Sequence, residues 1–190
     1  MRAITPPTHT CISIWELVKS DCFRYCRRSK IKDIIWSYFM IRSFRYSFWM
    51  RISESNSKIR YVAKFFRRHY SIKYGLQIFG KNIGYGLRIG HACGTIVNPK
   101  TIIGNNCTIC QFTTIGETNG KAPIIGNNVY VAPGCNIMGP IRIGSNVLIG
   151  AGSVITKDIE DNCVVVGNPG RVIRKTDTPP VKNIWNNIKE

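Results

Sequence analysis

The 190 residues include 27 Lys and Arg against 10 Asp and Glu, and 44% of them are hydrophobic. That balance excludes a disordered chain, suits one large domain or one domain with a smaller attachment, and gives a net charge of +17 that calls for an anionic partner or a solvated basic face. The excess is uneven: residues 1–75 hold sixteen Lys and Arg against four Asp and Glu.

Met1 to Thr10 contains Pro6, Pro7 and His9 with no apolar core, so no secretory signal is expected. The most hydrophobic early run, Ile34 to Ile41, is far below the roughly twenty residues of a membrane span. From Ile14 to Tyr74 there is no Gly or Pro, and apolar residues recur at three and four. This predicts helices over Ile14–Arg28, Lys30–Arg51 and Asn56–Tyr70, within a basic, aromatic-rich helical domain at 1–75. The central segment mixes Trp36, Phe39, Phe44 and Trp49 with Lys32, Arg42 and Arg45. Three roles fit such a face: packing against another helix or subunit, peripheral contact with an anionic membrane, and nucleic-acid binding. Nucleic acid is set aside because no reading motif accompanies the charge.

After Gly75 a six-residue beat takes over. Ile83, Ile89, Ile103, Ile109, Ile115, Ile125, Val131, Ile137, Ile143, Ile149 and Ile155 are each followed by a residue that is mostly small, and Asn105-Asn106, Asn127-Asn128 and Ser145-Asn146 supply corners. This spacing signifies a parallel β-helix in which three units close a triangular coil and the coils stack. Residues 76–175 form that domain, and a turn at Gly167-Asn168-Pro169-Gly170 joins a closing pair of strands. Residues 176–190 read as a loosely held tail ending in a short helix. Two insertions break the beat, at 90–95 and 116–123, and both emerge close enough along the stack to meet in space.

Three of the eight cysteines occupy repeat positions that elsewhere hold Gly, Thr, Val or Ser, which suits free structural thiols in a reducing cytoplasm. Cys107 and Cys110 have C-x-x-C spacing without a second pair, and no metal is expected. Of three histidines, His91 alone opens an insertion, where an imidazole can take a proton from an alcohol or simply satisfy loop backbone.

Gly90-His91-Ala92-Cys93-Gly94-Thr95, Gln111 to Gly116, Ile149 to Ile155 and Val166 to Ile173 resemble the serine acetyltransferases of the left-handed β-helix, or hexapeptide-repeat, acyltransferase superfamily. The resemblance implies a mostly β fold, a left-handed parallel β-helix preceded by the small helical domain. It also implies acetyl-CoA as co-substrate, direct transfer to a hydroxyl (L-serine by closest resemblance), and a homotrimer that could pair into a hexamer. His91 would be the general base. Gly116, Lys121, Pro133, Ala151, Lys157 and Arg171 would line the CoA groove, although the basic ones also suit a solvated rim.

Two departures stand out. The family's aspartate before the histidine is Gly90 here, and a second site histidine aligns with Ala122. Glu117 and Asp21 are the carboxylates available to orient His91 or hold the acceptor, if they are more than surface acids. The departures resemble enzymes that acetylate sugars in exopolysaccharide or capsule assembly, so a saccharide acceptor stays open. An idle trimeric scaffold would need no loop histidine. A β-helix hydratase would need several histidines.

Overall fold

The computed structural model describes residues 13–182 and Trp185. Four helices come first: α1 (Ile14–Cys26), α2 (Ile31–Met40), α3 (Arg42–Ile52) and α4 (Ile59–Tyr74). Ser13 caps α1 by accepting from the Glu16 amide at 3.2 Å, and Arg27 ends it in the left-handed region at φ 58°.

The single helix expected over Lys30–Arg51 is two helices. Ile41 is extended (φ −112°, ψ 105°), and the Arg45 guanidinium donates to the carbonyls of Tyr38 (2.7 Å) and Phe39. An arginine from the next helix thus takes over orphaned carbonyls that helix α2 would otherwise have to bond itself. α4 also runs to Tyr74, four residues beyond the expected Tyr70.

The β-helix then climbs in coils of three faces. The first coil holds β1 (Arg88–Ile89), β2 (Ile96–Val97) and β3 (Ile102–Ile103), and the second β4 (Thr108–Ile109), β5 (Thr114–Gly116) and β6 (Ile124–Ile125). The third holds β7 (Tyr130–Val131), β8 (Asn136–Met138) and β9 (Arg142–Ile143), and the fourth β10 (Leu148–Ile149) and β11 (Val154–Ile155). β12 (Cys163–Val166) and β13 (Arg171–Lys175) close it as the expected antiparallel pair, across a cis Asn168–Pro169 bond.

Three faces result: β1-β4-β7-β10-β12-β13, β2-β5-β8-β11 and β3-β6-β9. All pairings except the last are parallel, as a left-handed β-helix of stacked coils requires. Ile137 lies over Ile155, and Ile125 over Ile143. The anchors are buried to 2% exposure or less, and Val97, which stands between Ile89 and Ile103 in the stack, is buried with them. β-branched side chains in register fill such an interior without voids.

Each corner is built differently. Between the third face and the first, Asn106, Asn128, Asn146 and Asn162 all take positive φ. Asn128 donates to Asn146, and Asn146 to Asn162, both at 2.9 Å. Asparagine tolerates that backbone and here also ladders the coils together.

The helices close the open end of the stack. Asp21 accepts from the Leu87 amide (2.8 Å), and Tyr25 Oη both accepts from the Ile89 amide (2.9 Å) and donates to its carbonyl (3.1 Å). The free edge of β1 is thereby paired with side chains instead of another strand. Arg51, fully buried, grips Asp21 through Nε (2.9 Å) and Nη2 (3.1 Å) and donates to the carbonyls of Ile83 (2.8 Å) and Gly84 (2.6 Å).

The C-terminal stretch is partly packed, contrary to expectation. Val181 is buried, and Trp185 lies 5.6 Å from the Phe23 ring. The expected terminal helix falls mostly outside the described residues.

Candidate active site

His91 stands exposed on the loop between β1 and β2, at the corner where the first face meets the second. The loop beneath it is fixed. Gly90 donates to the Ile109 carbonyl (2.8 Å) and accepts from Ser43 Oγ (3.1 Å), while Cys93 N–H returns to the His91 carbonyl at 2.8 Å. Gly94 donates to Tyr74 and receives the ring of Phe112 above it, where an added Cβ would lie 2.7 Å from Cδ1. Ala92 packs against the core. An anchored backbone with a free imidazole is a suitable mount for proton transfer.

Position 90 leaves little room for the aspartate of the family pattern. A Cβ there would stand 3.1 Å from both Cα and Sγ of Cys110, so Cys110 would have to give by a few tenths of an ångström to admit a side chain.

The second loop leaves β5 as a tight hairpin: Thr118 and Lys121 exchange two backbone bonds (3.0 and 3.1 Å) around Asn119 (φ 52°) and Gly120 (φ 74°). Two successive positive φ values are what a type I′ turn needs, and Asn-Gly supplies them. Glu117 pairs with Lys100 at 2.9 Å, and Lys100 also reaches the Gly120 carbonyl at 3.3 Å. Sequence reasoning passed over Lys100. The signal was the coil length: Ile96 lies against Thr114 and Val97 against Ile115, so Pro99-Lys100 falls directly under Glu117.

That register corrects one expectation. The two loops leave from opposite ends of the same face, at different corners of the triangle. From Gly94 to Pro99 the face runs roughly 16 Å at ~3.3 Å per extended residue, so Glu117 does not meet His91 within one chain. Asp21 is equally remote from any acceptor: it is fully buried between Arg51, Ser47 Oγ (2.6 Å) and the Leu87 amide. Its carboxylate holds the helices on the β-helix, and the expectation that it binds substrate is withdrawn.

The remaining candidates fall along the two edges of the β2-β5-β8-β11 face. Pro133 and Ala151 stack above the His91 corner, following β7 and β10, and Arg171 opens β13 beside the same end. Gly116, the last residue of β5, and Lys121 and Lys157, which follow β5 and β11, mark the opposite edge. Lys121, Ala151, Lys157 and Arg171 are exposed, while Gly116 and Pro133 are half-buried. An added Cβ at Gly116 would lie 2.7 Å from Sδ of Met138, the far end of a flexible side chain that can swing aside.

The described cysteines are all free. Cys110 meets Tyr130 Oη at 3.4 Å, and burial pushes the Cys107 thiol up to about 12. Burial likewise raises the Tyr25 phenol, so it stays protonated under the His91 loop. Among the described residues no cluster of three His, Cys, Asp or Glu is placed to hold a metal, and no helix is long and apolar enough to cross a membrane.

Residues 122–157 match the family model "Bacterial transferase hexapeptide (six repeats)". The chain is 44% identical over 101 residues to a serine acetyltransferase of Synechococcus elongatus, covering 51% of this chain and 41% of that protein. It is 41% identical over 106 residues to one of Staphylococcus aureus, covering 53% and 50%. The chain therefore spans about half the length of the curated relatives it matches. Among solved structures, the serine acetyltransferase of Neisseria gonorrhoeae superposes with TM-score 0.73 at 28% identity over 90% of this chain and 72% of that one. A serine acetyltransferase solved in complex with CoA superposes with TM-score 0.70 at 25% identity, covering 85% and 70%.

Proposed function

We propose that this chain, which shares the hexapeptide repeat and the fold of the serine acetyltransferases, moves an acetyl group from acetyl-CoA to an acceptor hydroxyl, L-serine by closest similarity. The observation that carries the reading is His91, exposed on a backbone pinned by Ser43, Ile109 and Tyr74 at the rim of a regular β-helix. Its imidazole takes the hydroxyl proton as the oxygen attacks the thioester carbonyl. The C–S bond then breaks, and the CoA thiolate recovers the proton from the imidazolium. Backbone N–H groups at the coil corners are the available donors for the oxyanion.

Gly116, Lys121, Pro133, Ala151, Lys157 and Arg171 are proposed to bind CoA along both edges of one face, with the cations taking the phosphates. Because the two loops sit at different corners, a cleft that joins them must lie between copies of the chain. This supports a homotrimer, and Glu117 would act on His91 only from a neighbouring copy. Pairing of trimers into hexamers is a further step that a mass measurement decides. Free thiols and an acetyl-CoA substrate suit the cytoplasm.

A saccharide acceptor is the second reading, and one observation favours it. Neither Gly90 nor Asp21 offers a free carboxylate to hold a serine ammonium. Thiol release from acetyl-CoA, followed with L-serine and with a panel of sugars, tests both readings. His91→Ala is expected to slow release by roughly 10²–10⁴-fold; an unchanged rate removes His91 from the mechanism. Faster turnover with a sugar than with serine assigns the acceptor.

A further inference from the structure

The exposed face of α2 is its more apolar one, the reverse of an ordinary surface helix. Ile31 (66% exposed), Ile35, Trp36 (54%), Phe39 (67%) and Met40 line it, while Ser37 points inward among Cys22 and Cys26. A groove of about 250 Å³ runs beside it, walled by Trp15, Ile31, Ile35 and Phe39. Exposed cations frame the strip: Arg27, Arg28 and Lys30 just before the helix, Lys32 upon it and Arg42 just after.

Arg27 and Arg28 follow the C-terminal end of α1, where a helix dipole favours cations, but Lys30 and Lys32 sit at the N-terminal end of α2, where it disfavours them, so these two do not serve the helix. The acids nearby are engaged: Asp33 accepts from the Lys30 amide at 3.1 Å, Glu16 pairs with Lys19 at 3.1 Å, and Asp21 with Arg51. α4 has the same character, with five Lys or Arg, no acid, and Phe65 and Ile72 facing solvent.

We propose that the α2 face is a docking surface for an anionic phospholipid bilayer. Trp36 and Phe39 enter the headgroup–acyl boundary, an acyl chain lies along the groove, and the five cations meet lipid phosphates. Charge complementarity selects this occupant over a second copy of the chain. Residues 13–75 carry fifteen Lys and Arg against four acids, so a self-contact would set like charges against each other. The proposed contact is peripheral, with the aromatic side chains at the headgroup level. The proposal does not depend on the acetyl-transfer reading.

Co-sedimentation of the full chain with phosphatidylcholine vesicles, with and without phosphatidylglycerol, tests it. The chain should pellet with the anionic vesicles, remain in solution with the neutral ones, and be released by high salt. Trp36→Ser with Phe39→Ser should weaken partitioning about tenfold or more, with the circular dichroism spectrum and thiol release unchanged. Lys30→Ser with Lys32→Ser should lower only the phosphatidylglycerol-dependent part. Absence of pelleting by the parent chain, or equal pelleting of parent and aromatic variant, overturns the proposal. So does light scattering in which the aromatic substitutions split a larger lipid-free assembly, since a second copy would then cover the face.

Discussion

The β-helix and the helices in front of it are held by opposite strategies. In the β-helix the same contact repeats: an aliphatic residue over an aliphatic residue inside, a backbone ladder on each face and an asparagine at one corner. In the helical part almost nothing repeats, and the buried surface includes Ser20, Ser37, Ser43, Ser47, Asp21 and Arg51. A repeating stack spreads its stability over neighbours and tolerates a local fault. A junction centred on a buried bidentate ion pair does not, because either partner left alone is an unpaired buried charge.

The sharpest way to break this contrast is Asp21→Ala. It strands the Arg51 guanidinium and the Leu87 amide in the interior, and should cost about 3–5 kcal/mol in denaturant titration. Hydrogen exchange should rise in α1, α3 and β1 while β7 to β11 stay protected. Equal loss of protection in every coil would mean that the two regions unfold as one unit.

Ile137→Ala is the matching test inside the stack. The side chain is fully buried between Ile115 and Ile155, and its removal should cost about 2–5 kcal/mol. Here the rise in exchange should centre on the third coil and its neighbours, with the α1–α3 junction less affected. Urea melts of the two variants, compared by slope as well as midpoint, check whether each loses a different amount of buried surface.

What could be read from the residues follows the same division. A six-residue beat needs no tertiary knowledge, so the coils and both insertions were legible. The break between α2 and α3 was not, because it carries no Gly or Pro. The break is accompanied by a tertiary contact, in which Arg45 reaches back to the Tyr38 and Phe39 carbonyls. At the candidate site His91 could be identified as a loop histidine, yet its relation to Glu117 depended on the coil register, which puts the loops at different corners. Asp21 was legible as an acid on a helix; its burial depended on Arg51, thirty residues away.

Alkaline titration probes both regions through one buried thiol each. Burial raises Cys22 and Cys107 from 9.0 to about 12. The unfolded chain releases these protons near pH 9 and the folded chain holds them, so stability is intact below pH 9 and falls as pH climbs from 9 towards 12. The loss is up to about 1.4 kcal/mol per pH unit for each thiol. Urea midpoints at pH 8 and pH 10 should differ less in Cys107→Ala than in the parent chain, whatever the substitution costs at pH 8. An unchanged slope would mean that Cys107 ionises in the folded state.

The smallest effect concerns the asparagine corner. Asn146 accepts from Asn128, donates to Asn162 and sits at φ 59°. Asn146→Gly keeps the backbone free to adopt that corner and removes only the ladder, so it should cost about 1 kcal/mol. Asn146→Ala removes the ladder and adds left-handed strain, for roughly 1 kcal/mol more. If the two variants melt alike, the asparagines are present for their hydrogen bonds alone. If only Ala is destabilising, the ladder contributes nothing and the corner is a matter of backbone conformation. The expected result, a graded pair, requires that the coils be joined at this edge by both.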